Sequence, residues 1–479
     1  MKRTKRIYVA GITCCFFMSE LFAGGLLTNI NQSVHFLRNP AIGASTGIEA
    51  AYTNPAGLSF LENDGLTFSI NNQSAFQTRT ITATFAPFAA NGGSETKEYV
   101  GKAKALFIPS LMAAYKLDKW VFSGNFSIIG GGGTAVFDKG LPSFESQVAM
   151  LPPMANMMLQ GMGMPADYNI SQYSLDQHLE GSQVIFGIQL GASYKITDYL
   201  SAYLGGRANI FRNGYKGYLK DIRINPNIPP MGLSGENMIP AKDFVEGLAA
   251  SGLIPQEMAG ALLEQVSDKE VDCKQSGSGI APILGLDFKY DKLNVGVKYE
   301  FKTGITLKNE TKINTTGVTN FDNAVKTSND IPALFTVGAS YQVLPDLTVS
   351  AGYHHFFDSD AEMVDNKQKN INGGINEYLL GAEWRINDMF LISAGGLITR
   401  TGVTNDYQSD LDFFIHNYSF GFGGAVDVTE NIRINLGCLL TGYQDWPKVS
   451  SNYSKTEMPG TDLFSRASKA FGIGADFRF

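Results

Sequence analysis

The chain has 479 residues, 44% of them hydrophobic and 11% aromatic, with 52 glycines and a formal net charge of −7; its mean hydropathy is −0.05. Beyond residue 23 no wholly apolar run reaches the roughly 20 residues that a membrane helix needs, which excludes a helical membrane protein. The acidic balance makes nucleic acid a poor partner, and four cysteines, of which Cys14 and Cys15 are adjacent, give no disulfide framework.

Residues 1–23 are expected to be a secretory signal peptide. Lys2, Arg3, Lys5 and Arg6 stand before an apolar stretch from Ile7 to Phe22, which ends in the small residues Ala23 and Gly24. Neither Cys14 nor Cys15 has the preceding Leu and small residue of a lipoprotein signal. Removing the segment takes those four positive charges and Glu20 with it, leaving −10 on the remaining chain. Residues 24–63 follow, rich in Asn, Gly, Ala and Ser and only weakly periodic.

From residue 64 a period of two takes over. Phe471, Ile473, Ala475, Phe477 and Phe479 share one face, and Gly472, Gly474, Asp476 and Arg478 the other. The stretches 293–302 and 432–441 alternate in the same way, although Leu439 breaks the polar row of the second. A soluble sandwich would bury the apolar face against a second sheet, whereas a membrane barrel turns it to lipid and keeps glycine and charge inside. Loop asymmetry separates the two. Six tight connections, at 115–120, 194–199, 290–293, 341–347, 384–390 and 428–432, each carry an acidic residue with aromatics close by. Between them lie seven longer ones, with 134–182 and 223–278 the longest. Short turns on one rim and long loops on the other belong to outer-membrane barrels. The strands expected are 65–80, 103–117, 119–132, 183–196, 199–222, 279–290, 292–308, 330–343, 346–358, 374–387, 389–401, 413–428, 431–445 and 466–479. The fold class is therefore all-β: a 14-stranded antiparallel transmembrane β-barrel over residues 64–479, in the bacterial outer membrane, with 24–63 as an N-terminal plug.

Ala50-Ala51-Tyr52-Thr53-Asn54-Pro55-Ala56-Gly57-Leu58 resembles the Asn-Pro-Ala signature that ends the N-terminal hatch in the FadL, or outer-membrane protein P1, family. Phe107-Ile108-Pro109-Ser110-Leu111, Ala114-Tyr115 and Ser123-Gly124-Asn125-Phe126 resemble that family's second and third strands. The resemblance implies passive transport of long-chain fatty acids or other apolar ligands, with outer-membrane lipid around the barrel and the barrel-assembly machinery as a partner during insertion. It further implies release by hatch rearrangement and a sideways exit at a kinked third strand. Asn54, Pro55 and Ala56 are then the hatch motif. Gly130, Gly131, Gly132 and Gly133 fall where that third strand should bend, since four glycines pair poorly; a flexible loop start fits them equally well. A second functional reading is a FadL-like barrel that displays its loops to proteins, as the shuttle components of type IX secretion resemble.

Met154, Met157 and Met158 belong to a methionine-rich loop suited to a promiscuous apolar groove, although loops packing on one another to cap the barrel would use the same residues. Among the charges on inward faces (Arg207, Asp287, Lys289, Lys298, Glu300, Lys302, Glu383, Arg385), Arg207 and Lys298 lie nearest mid-barrel and are the candidates for a ligand carboxylate; mutual ion pairing is the competing reading. Gly43-Ala44-Ser45-Thr46-Gly47 matches the G-x-S-x-G elbow without the strand and helix that the elbow requires. The five histidines show no metal spacing. Neither a catalytic residue nor a cofactor or metal site is expected.

Overall fold

The computed structural model describes residues 33–479; the expected signal peptide and residues 24–32 lie outside the described residues. The chain opens with two short helices, α1 (Val34–Arg38) and α2 (Ala50–Thr53), and a 3-10 turn over Pro55–Phe60. Pro55 starts that turn, where its missing N–H costs nothing, and holds Asn54 before it in an extended conformation.

Fourteen barrel strands follow: β1 (Gly65–Thr84), β2 (Thr96–Leu117), β3 (Trp120–Phe137), β4 (Asn169–Lys195), β5 (Leu200–Ile228), β6 (Lys269–Tyr290), β7 (Leu293–Glu300), β8 (Leu334–Leu344), β9 (Leu347–Phe356), β10 (Ile375–Arg385), β11 (Phe390–Arg400), β12 (Asn417–Thr429), β13 (Ile432–Tyr443) and β14 (Gly460–Arg478). Each pairs antiparallel with the next. The ring closes where β14 returns to β1, in register from Thr67↔Arg478 to Thr84↔Thr461. Closure matters because an open edge in hydrocarbon would leave unpaired N–H and C=O groups at several kcal/mol each.

Alternation sets the two faces. Along β6, Ile280, Leu284, Leu286 and Phe288 are exposed outward, while Ala281, Ile283 and Asp287 are buried inside. On β14, Phe471 and Ile473 are exposed, as is Phe479 just beyond it, and Phe477 stacks on Phe68 at 4.7 Å. Around the short-turn rim Tyr115, Trp120, Tyr194, Tyr199, Tyr290, Tyr341, Trp384 and Phe390 stand exposed as an aromatic girdle. All six tight turns occur where the sequence places them. Two of them use a left-handed aspartate, Asp118 and Asp291, a conformation that Asp tolerates better than most side chains.

The opposite rim is taller than the alternation suggests. β4 and β5 run as a long hairpin that stands above the membrane, because Ile170, Tyr173 and Leu179 on β4 and Leu219, Ile222, Ile224 and Ile228 on β5 all join one buried apolar cluster there. That cluster includes residues of α3 (Pro142–Ala149) and α4 (Leu151–Gly161) in the β3–β4 loop, and of α5 (Ala241–Ala250) and α6 (Gln256–Val266) in the β5–β6 loop. Two expected strands are shorter than their alternation. β7 stops at Glu300, and Thr306–Asn314 instead pairs with the upper part of β6. β12 starts at Asn417 rather than 413, since Phe413, Phe414 and Ile415 fold inward and are buried.

Candidate functional site

The described part of the N-terminal segment, residues 33–61, lies against the polar inner faces of the ring. Asn54 is fully buried and its amide donates to the Leu286 carbonyl (3.0 Å) and the Asp287 carboxyl (3.1 Å) on β6. Ser193 and Ser201 donate to the carbonyls of Pro55 and Ala56 at 2.6 and 2.7 Å, and Gln189 donates to Ala51 at 3.0 Å. At the other end Arg38 reaches Glu383 (2.6 Å) and Ser393 (2.9 Å). Wall glycines make room for this backbone: a Cβ on Gly338 would stand 2.6 Å from the Gly43 carbonyl carbon, and one on Gly421 2.4 Å from the Leu37 oxygen.

Arg207 and Lys298 meet inside the barrel on one carboxylate. Glu300 takes both Arg207 terminal nitrogens, and the Lys298 ammonium at 2.6 Å. Lys298 also donates to the Tyr52 carbonyl at 3.1 Å, and both cations lie over the Tyr52 ring, at 5.3 and 5.2 Å. The two residues singled out from the sequence are therefore together, bound to the plug, and hold one positive charge in excess of Glu300. The other inward charges divide between plug and rim. Asp287 holds Asn54, Arg385 pairs with Asp427 at 3.0 Å, and Lys302 is exposed beside Asp330.

Above this triad on the same face of β5 come Asn209, Phe211 and Asn213, and there a cavity opens. Ile185, Phe211, Leu307 and Ile331 supply its apolar lining, and Asn213, Gln275 and Lys367 its polar groups. Its apolar residues belong to one buried cluster with Ile48, Ala50, Ala51, Tyr52 and Leu58 of the plug and with Ile129 of β3.

Ile129 marks the interruption in the wall. The β2–β3 ladder holds from Leu117↔Trp120 up to Ser110↔Ser127, then breaks, and resumes only at Lys104↔Thr134. Residues 105–109 and 128–133 are unpaired with each other. Gly131 and Gly132 have φ of +70° and +108°, a conformation that L side chains resist, and β3 stays paired with β4 there through two bulges while it loses β2. Leu106 and Phe107 stand exposed beside the break.

The methionines lie higher. Met157 is exposed on α4, Met158 packs on the loop cluster, and Met154 is half-buried. Asn156 fastens the helix to β4 through two bonds with Ile170, of 2.8 and 2.7 Å. Ser45 in the G-x-S-x-G stretch gives its hydroxyl to Glu49, four residues on, within a turn of the plug. One feature had no signal in the sequence: Arg79 on β1 and Arg466 on β14 stand directly opposite each other across the closing seam.

No family model matches the sequence, and no curated protein does. Among solved structures the chain is similar to a Pseudomonas aeruginosa FadL homologue, at 12% identity and a TM-score of 0.63 over 95% of this chain and 99% of the other. It is also similar to the Pseudomonas putida toluene transporter TodX (17%, TM-score 0.56, 95% and 99%) and to the monoaromatic hydrocarbon channel CymD (14%, 0.52, 95% and 99%). The likeness covers nearly all of each chain, and on it the chain has the fold of the FadL family, a closed fourteen-strand β-barrel with an N-terminal segment against its inner wall.

Proposed function

We propose that the protein is a passive channel for hydrophobic small molecules, long-chain fatty acids among them, and not an enzyme. The observation that carries the reading is the continuity of one apolar cluster from the cavity (Phe211, Ile185) past the plug (Tyr52, Ala51) to Ile129 at the break between β2 and β3. An apolar tail sent straight down a polar lumen into water would lose about 0.8 kcal/mol per exposed methylene. The sideways path keeps it among apolar side chains until it meets lipid. Wall strands part at low cost only where the ladder is already interrupted, and β2–β3 offers such a place. The similar structures of a toluene transporter and a monoaromatic hydrocarbon channel support an apolar cargo.

The plug is the gate in this reading. Lys298 binds both Glu300 and the Tyr52 carbonyl; a ligand carboxylate that competed for Lys298 or Arg207 would loosen the plug as it arrived. Met154, Met157 and Met158 then serve as adaptable contacts above the lumen.

Ala105 and Gly133 provide the test. A Cβ on Gly133 would lie 3.5 Å from that of Ala105 across the break, close enough for a disulfide. In a background with Cys273 and Cys438 replaced by Ser, the double variant Ala105→Cys, Gly133→Cys should lose uptake of radiolabelled oleate when oxidised and regain it on reduction. Normal uptake by the oxidised, correctly folded barrel would rule out the lateral route.

A further inference from the structure

The inward arginines Arg79 and Arg466 face each other across the β1–β14 seam. Both donate to one neutral acceptor, the Phe413 carbonyl, at 3.5 and 2.9 Å. Both also lie over the Phe413 ring, at 4.6 and 5.1 Å, and Arg466 over Tyr443 at 5.4 Å. Among the described residues neither forms an ion pair, and the Nε atom of each is buried without a partner. Asp412 is the nearby acid, but one of its oxygens is already taken by Lys367 (2.8 Å) and Tyr407 (3.0 Å). The other Asp412 oxygen has no partner, and Asp412 pairs with neither arginine.

Such an arrangement is unfavourable by itself. Like charges directly opposite each other in a sheet repel, and a buried charge needs an opposite one. An aromatic face and one carbonyl compensate only in part. An anion between the two forks would relieve both costs, because guanidinium and carboxylate match in a bidentate geometry. Around the pair the environment is apolar: Phe413 packs on Phe464 at 4.8 Å, and both belong to the cluster under the loops. The segment that carries Phe413 also places Asp412 in the wall of the lumen cavity.

We propose that Arg79 and Arg466 form an anion site at the outer end of the lumen, which takes the carboxylate or an equivalent monoanionic headgroup of an amphiphile. This rests on the transport reading, and gives the cargo a charged head that a plain hydrocarbon lacks. It also sets a first station on the route, ahead of the Arg207–Lys298–Glu300 triad at the plug.

Oleate and oleyl alcohol, which share a tail and differ in head charge, separate the two claims. Titrated into the purified barrel in an uncharged detergent, oleate should bind at least about tenfold tighter, the usual scale of a charge-assisted bond. Arg79→Gln and Arg466→Gln should each bring the ratio near one, Arg466→Lys should restore part of it, and the heat-modified gel shift should report a folded barrel throughout. Equal affinities in the unaltered protein would overturn the anion site while leaving hydrophobic transport standing. A ratio that survives both glutamine variants but falls in Lys298→Gln would place the anion at the plug instead and overturn the proposal. Binding of neither ligand would remove the transport reading as well.

Discussion

His35 in α1 lies between Asp476 of β14, at 3.2 Å, and Glu49, at 3.7 Å. Burial works against its positive charge, but the two carboxylates outweigh it and raise the imidazole above its ordinary 6.5. For Glu49 burial again opposes the charge, and His35 together with the Ser45 hydroxyl still holds the carboxyl below its ordinary 4.5. The signs fix a window. The His35 contribution to plug docking is complete below 6.5 and is lost as pH rises through its raised value; the Glu49 contribution is complete above 4.5 and is lost as pH falls through its lowered one. Hydrogen exchange at residues 33–38, corrected for intrinsic rate, should therefore be slower near pH 6 than near pH 9. His35→Gln should erase that difference, and equal protection at both pH values in the unaltered protein would dismiss the ion pair as a plug anchor. Nothing in the sequence joins His35 to Asp476: they are some 440 residues apart, and only barrel closure brings them together.

At the scale of elements the kink in β3 gives the sharpest expectation. Gly131 combines φ of +70° with a neighbour that allows no Cβ, since one would lie 2.0 Å from the Gln183 carbonyl oxygen on β4. Gly131→Ala must either strain the backbone or push β3 off β4, at roughly 1–3 kcal/mol. Urea unfolding in micelles should show a loss of that size, and an unchanged midpoint would mean that the bend is not held by Gly131. Four glycines in a row pair poorly, and here they keep the β4 ladder only with two bulges. That the break also involves residues 105–109 of β2 was not legible in the sequence, because nothing in an ordinary alternating stretch marks the loss of a partner. Likewise the inward fold of 413–415 reads as strand in the sequence, its aromatic residues being as suited to a lipid face as to a loop core.

For the whole molecule, the proposed gating rests on residues 33–61, which lie against the inner wall of the ring. Its inner face carries Ser69, Asn71, Gln73, Asn125, Ser127, Gln189 and Asn294, all buried although they line a lumen. Residues 33–61 cover part of this face, with bonds to Asn71, Gln189 and Asn294. Deleting that segment should rehydrate the polar face and give a large steady ion conductance in planar bilayers, against a nearly closed intact protein. Equal conductance from the two forms would show that the loops, rather than the plug, seal the barrel.

The sequence by itself determined the class of fold, the strand number and the rim that bears short turns, because these follow from local properties: a period of two, the length of each connection and the turn chemistry of Asp and aromatics. It also offered the Asn-Pro-Ala stretch as a hatch motif and the run Gly130–Gly133 as either a bend or a loop start. Tertiary structure alone decided which charges compensate one another. Arg207 and Lys298 share Glu300 because β5 and β7 both flank β6 and bring their inward faces together over the plug. Arg79 and Arg466, the pair without a carboxylate, adjoin only because β1 and β14 close the ring. Electrostatic pairing depends on distance through space, and in a closed barrel the residues nearest in space include those farthest apart in the chain.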